Sequence, residues 1–158
     1  MKLNILVIVL LALVHSSVIS QSAPVLQNGL YTDLDGSLYS GSATLQSNEE
    51  GNATRQYIEV DNGLLHGVVK YFHSKGYLEE TGSYTHGKKD GVWVQYAANG
   101  QQLGEAYYSE GKKDGIWTVW DEQGVKRYHM VYSMGKKVDT WKMWDQHSTL
   151  VSERFYNE

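Results

Sequence analysis

A spacing of 24 residues runs through most of the chain, and it decides what the chain can fold into. Gly63, Gly87, Gly111 and Gly135 share one column when the sequence is written in rows of that length. Gly67, Gly91 and Gly115 share the column four residues on, where the last row has Asp139. Val69, Trp93, Trp117 and Trp141 form another, and Phe72, Tyr96, Trp120 and Trp144 a further one. Gly76, Gly100 and Gly124 recur before Ser148, and Tyr84, Tyr108, Tyr132 and Tyr156 recur without exception. A fixed period of this kind is the mark of a repeat architecture, in which each unit buries its apolar face against the next.

One row contains two strand-like runs and two turns. In the row from Gly87, the runs are Gly91–Tyr96 and Gln101–Ser109, rich in Val, Trp and Tyr, which suit a pleated surface. Asn99-Gly100 between them reads as a hairpin turn with positive φ at both central positions. Ser74–Gly76 and Glu122–Gly124 read as the corresponding, longer turns, and Gly-Lys-Lys-Asp-Gly closes the return to the next row. Helices are excluded by the glycines, each of which costs a helix about 1 kcal/mol relative to alanine. The expected fold is therefore all-β, a single-layer antiparallel meander of stacked β-hairpins. Its rows are 63–86, 87–110, 111–134 and 135–158, after an acidic segment 21–62 that holds a degenerate first repeat. Gly41 and Gly67 are 26 residues apart, so that first row carries two extra residues, expected in a longer loop over Asn48–Asn52.

Residues 1–20 read as a cleaved signal peptide. Lys2 precedes the uncharged run Ile5–Val14, and Val18-Ile19-Ser20 supplies small residues before a cut at Gln21. The run is shorter than the roughly 20 residues a membrane-spanning helix needs. The protein is thus expected to be secreted or periplasmic. It has no cysteine, which leaves neither a lipoprotein anchor nor a disulfide.

The net charge of −4 offers no general basic field, so nucleic acid is not an expected partner. No pattern for catalysis is present either. There is no Gly-x-Ser-x-Gly and no phosphate-cradling glycine loop. His66, His73, His86, His129 and His147 fall in different columns and lack metal-ligand spacing. The carboxylate pairs, such as Glu79-Glu80, are neighbours that point to opposite faces of a strand. The reading is non-enzymatic, with no catalytic residue, cofactor or metal.

The combination Tyr-x-x-Gly-Lys-x-x-Gly-x-Trp, starting at Tyr84, Tyr108 and Tyr132, resembles the variant MORN repeat of bacterial envelope proteins. In the last copy Asp139 replaces the second glycine. The likeness covers 63–158 well and 31–62 loosely. It implies single-layer hairpin stacking and a role in contacts with proteins or membrane surfaces. Some proteins with this repeat are labelled antitoxins, which implies, as an alternative, an antitoxin-like partner of an exported toxin.

Two residue sets are candidates for contact. Trp93, Trp117, Trp120, Trp141, Trp144, Tyr108 and Tyr132 supply aromatic area for a protein partner, because a one-layer sheet leaves an apolar face uncovered. Lys88-Lys89, Lys112-Lys113 and Lys136-Lys137 recur in one turn and should line a rim able to meet an acidic lipid or glycan, though Asp90 and Asp114 blunt two of the pairs. Asn52-Ala53-Thr54 is a glycosylation sequon, with Asn52 the acceptor. The last strand, expected over Ser152–Tyr156, offers an edge for an edge-to-edge homodimer.

Overall fold

The computed structural model describes residues 22–49 and 52–157. The expected signal peptide lies outside them. All regular structure among the described residues is strand: β1 (Val25–Gln27), β2 (Leu30–Thr32), β3 (Gly41–Glu49), β4 (Asn52–Asp61), β5 (Leu64–Leu65), β6 (Gly67–Phe72), β7 (Leu78–Thr85), β8 (Lys88–Tyr96), β9 (Gln102–Ser109), β10 (Lys112–Trp120), β11 (Lys126–Ser133), β12 (Lys136–Trp144) and β13 (Leu150–Tyr156). From β3 to β13 they form one eleven-stranded antiparallel sheet in chain order, with the short β5 paired to β4 alone. The expected single-layer meander is the fold that forms. Strands β1 and β2 make a separate small hairpin at the N-terminal end.

Two turn types alternate, and they are distributed differently from the sequence expectation. The return turns Asn62-Gly63, His86-Gly87, Glu110-Gly111 and Met134-Gly135 have positive φ at both central residues, 48° and 77° at the first and 45° and 92° at the last. That is the type I′ geometry, whose twist matches the flanking strands. Asn99-Gly100 was expected to be such a turn and is not: only Gly100 has positive φ, at 82°. The four residues Ala97–Gly100 instead close with the Gly100 amide donating to the Ala97 carbonyl at 2.9 Å, and Asn99 Oδ1 accepts the Gln101 amide. His73–Gly76 and Asp121–Gly124 repeat this longer turn. In the last row Ser148 takes the glycine position with φ 61°. There Asp145 accepts the amides of His147 and Thr149, which ties the turn without glycine. These bonds, the Thr149 amide first, hold the Asp145 carboxyl below its usual range.

Each return turn bonds to the row before it. The amides of Gly87, Gly111 and Gly135 donate to the carbonyls of Leu65, Lys89 and Lys113 at 2.7–2.8 Å. Gly63 does the same to Tyr39. The extra residues of the first row do not make the long loop expected at Asn48–Asn52. They lengthen the hairpin: β3 and β4 pair without interruption from Gly41↔Val60 to Glu49↔Asn52.

A register shift fixes the tryptophans. Between Thr81↔Val94 and Ser83↔Asp90, three residues of β8 face one of β7, and similar shifts occur between β9 and β10 and between β11 and β12. Gly91, Gly115 and Asp139 sit in these bulges with φ of 73°, 81° and 57°. Beside each bulge the indole donates to a carbonyl of the previous strand. Trp93 Nε1 donates to Ser83 O at 3.1 Å, Trp117 to Tyr107 O at 2.9 Å and Trp141 to Val131 O at 2.9 Å. Such a bond contributes about 1 kcal/mol net and fixes the ring against the sheet.

The core lies towards the N-terminal end. Tyr39, Ile58, Val60, Val69 and Trp93 form its buried cluster, with Tyr31, Leu45, Leu65, Tyr71 and Tyr84 packed around it. Tyr39 is seated by backbone bonds to Tyr31 and Gly63, so the small N-terminal hairpin closes this end of the stack.

Candidate interaction surfaces

The sheet has two unlike faces, because side chains alternate along each strand. On the first, the Trp and Tyr columns form a continuous ladder. Ring centroids are 5.2 Å apart for Tyr84–Trp93, 6.2 Å for Trp93–Tyr108, 5.1 Å for Tyr108–Trp117 and 5.4 Å for Trp117–Tyr132. The series continues through Tyr132–Trp141 and Trp141–Tyr156, both at 5.0 Å. Tilted and edge-on aromatic contacts of this kind contribute about 0.5–1.5 kcal/mol each beyond area burial. Burial, as the leading cause, raises the phenols of Tyr108 and Tyr132 above the usual range.

The ladder also takes one lysine of each recurring pair. Lys89 Nζ lies 3.5 Å from the Trp93 ring centroid, Lys113 4.2 Å from Trp117 and Lys137 4.6 Å from Trp141. The same three reach the next tyrosine ring at 5.0–5.5 Å. Lys89 is further tied to Glu80 at 3.6 Å. The recurring pairs are therefore split. Lys89, Lys113 and Lys137 lie over the rings, while Lys88, Lys112 and Lys136 stay exposed beside the return turns. Asp90 and Asp114, expected to blunt the lysines, are engaged elsewhere: Asp114 accepts the Met134 amide at 2.9 Å and Asp90 the Thr85 hydroxyl at 3.2 Å.

The seven expected aromatic contact residues do not form one surface. Trp93, Tyr108, Trp117, Tyr132 and Trp141 share the ladder, where Trp93 is only 2% exposed. Trp120 and Trp144 lie on the second face by strand alternation and are half-buried near the hairpin tips. Arg127 donates to the Trp144 carbonyl at 3.0 Å and pairs with Asp121 at 3.4 Å, closing that tip.

The second face is apolar too, as strand alternation in the sequence implies. The register places Val68 beside Ser83, Val92 beside Tyr107, Ile116 beside Val131 and Thr140 beside Phe155. These pairs follow one another across eight strands, an apolar row interrupted by Ser83 and Thr140. Val92 is 41% exposed, Ile116 48% and Phe155 66%, and Val68 and Tyr107 are also open. The signal for this stripe was the residue just before each tryptophan. Alternation already puts those residues opposite the tryptophans, but the expected contact set was drawn from the aromatic columns alone.

No group of three or more His, Cys, Asp or Glu residues able to hold a metal ion occurs among the described residues. His66 and His86 approach edge-on, with centroids 5.0 Å apart, and His86 donates its amide to His66 Nδ1 at 3.5 Å. Asn52 starts β4 opposite Glu49, so the sequon stands at the base of a hairpin tip.

No protein-family model matches the chain, and no curated protein matches it in sequence.

Proposed function

We propose that the protein is a non-enzymatic, exported repeat scaffold of the MORN-like kind, which binds another protein in the cell envelope or outside the cell. The observation that carries this reading is the apolar stripe on the second face. Val68, Val92, Tyr107, Ile116 and Phe155 are exposed in register across an open sheet. Exposed apolar residues gathered on one face in this way mark contact sites on water-facing proteins. The ladder tryptophans, by contrast, bond to the backbone and to lysines, which favours a structural role for them.

The test is capture of envelope and secreted proteins by the mature chain, residues 21–158, beside a Val92→Glu/Ile116→Glu double variant. One partner in stoichiometric amount, lost with the variant while the circular-dichroism melt is retained, is the expected result. A partner held equally by both proteins would overturn the assignment of this face. A second reading, binding of acidic lipid by the return-turn rim, draws on the exposure of Lys88, Lys112 and Lys136 alone. It predicts vesicle binding that weakens with salt and with those three lysines changed to Gln.

A further inference from the structure

Near the N-terminal end, the second face changes from apolar to cationic. Thr44, Tyr57 and Lys70 stand side by side on β3, β4 and β6, and Arg55 stands beside Phe72 in the neighbouring cross-strand row. Together they line an open groove of about 440 Å³. The guanidinium of Arg55 lies 4.7 Å over the Phe72 ring, and Lys70 Nζ lies 5.9 Å from the Tyr57 ring. Arg55 and Lys70 are exposed, and neither is ion-paired with a described carboxylate.

The one described carboxylate in the groove is occupied. Glu59 accepts the Val68 amide at 2.7 Å and the Tyr57 hydroxyl at 3.1 Å, at the end next to Gly67. The lining thus carries two outward-facing cations against one tethered carboxylate, on a chain whose net charge is −4.

The fold does not require this set. One row later the places of Arg55, Tyr57 and Lys70 hold Glu79, Thr81 and Val94, and two rows later Leu103, Glu105 and Thr118. Those rows keep the same strands and register without the cations. Three rows later Arg127 and Lys142 return to two of the places, but there each is ion-paired, with Asp121 at 3.4 Å and Glu153 at 3.3 Å.

We infer that this groove binds an acidic saccharide, a chain of sugars bearing carboxylates. The planar guanidinium fork matches a carboxylate, and Lys70 adds a second positive charge beside it. The half-buried rings of Tyr57 and Phe72, over which the two cations lie, add apolar walls for the C–H side of a sugar ring. The hydroxyl of Thr44 supplies a donor and acceptor for sugar hydroxyls. The groove's volume lies within the range of small-ligand sites, and its openness along the sheet leaves room for the chain to continue. This site lies at one end of the stack, apart from the return-turn lysines.

The experiment is calorimetric titration of the mature protein with a short oligogalacturonate, using a neutral maltooligosaccharide and inorganic phosphate as separate probes. Oligogalacturonate should bind and the neutral sugar should not. Arg55→Gln and Lys70→Gln should each weaken binding roughly tenfold, the loss of one charge-assisted hydrogen bond. Lys112→Gln, on the return-turn rim, should leave it unchanged. Both groove substitutions are at exposed positions, and a retained thermal melt separates lost binding from lost folding. Failure of the wild-type protein to bind the oligosaccharide would overturn the proposal. So would equal weakening by Lys112→Gln, which indicates diffuse charge attraction. Phosphate binding as tightly as the oligosaccharide would reduce the groove to a simple anion site and overturn the saccharide assignment.

Discussion

Trp93 and Trp117 stand at the same position of consecutive rows and donate the same indole-to-carbonyl hydrogen bond, yet Trp93 is 2% exposed and Trp117 only half-buried. The difference lies in the strand behind each ring. A Cβ built on Gly82 would lie 2.3 Å from the Trp93 ring, so that indole lies against bare backbone. One row later the place of Gly82 is taken by Ala106, and then by Met130. Trp93 also meets Tyr71 and Tyr84 beside the closed end of the stack, where Ile58, Val60 and Val69 are buried. Towards the C-terminal end the same repeat is built with less beneath it. Identical local rules thus give a packed core at one end and a thinner, ring-and-lysine surface at the other.

The largest expected effect is on the tryptophans themselves. Trp93→Ala should cost about 3–5 kcal/mol in denaturant-monitored stability, the range for deleting a buried aromatic. Trp117→Ala should cost clearly less, because more of its surface already faces water. Equal costs would break the comparison. Gly82→Ala should follow, with a loss of about 1–3 kcal/mol from overpacking. It should also shift Trp93 fluorescence to the red as the ring lifts from the sheet. An unshifted spectrum with unchanged stability would show that the ring does not depend on the glycine.

A pH titration sharpens the contrast further. Burial, as the largest cause, raises the phenols of Tyr31, Tyr39, Tyr71, Tyr108 and Tyr132, and at Tyr71 the Tyr84 hydroxyl adds to it. The unfolded chain releases these protons near pH 10, the folded chain only above it. Their contribution to stability is therefore complete below about pH 10 and is lost as pH rises through the raised values. Tyrosinate absorbance should lag behind that of the urea-unfolded chain, with Tyr71→Phe removing the latest part of the rise. Coincident folded and unfolded curves would contradict this. The smallest expected effect is a gain. Met134 holds φ 45° at the first position of a type I′ turn, where Asn is favoured. Met134→Asn should raise stability by about 0.5–1 kcal/mol, read as an increase in Tm. An unchanged or lower Tm would show that the Met134 side chain contributes more than the backbone strain costs.

The repeat was legible because the fold is made of local rules. Glycine and aromatic columns specify strands, turns and the order of the sheet, and that order is the simplest one available. What escaped the sequence depends on the neighbouring strand. The bulge opposite Gly82 determines how deep Trp93 sits, and nothing within residues 91–96 announces it. The split of the lysine pairs follows from alternation, which sends Lys89 onto the ring ladder and leaves Lys88 exposed. Turn type was misjudged because Asn-Gly is the favoured pair for a type I′ turn, whereas this fold places His86, Glu110 and Met134 in that role and gives Asn99-Gly100 the longer turn. Arg55 and Lys70 recur three rows on as Arg127 and Lys142, but those are paired with Asp121 and Glu153, so the column alone did not announce the Arg55–Lys70 groove.

The bond from each return-turn glycine to the carbonyl of the row before it has a consequence for how such a chain changes length. Every row offers the next one the same socket, and extensive contacts join only neighbouring strands. A deletion of 87–110 would bring Gly111 to the place that Gly87 now holds, against Leu65. A duplication would push the later rows outward by two strand widths, roughly 10 Å, without disturbing the joint. Heredity can therefore edit this molecule in whole rows, much as a chain is shortened by a link, while the same number of residues lost out of phase would sever it.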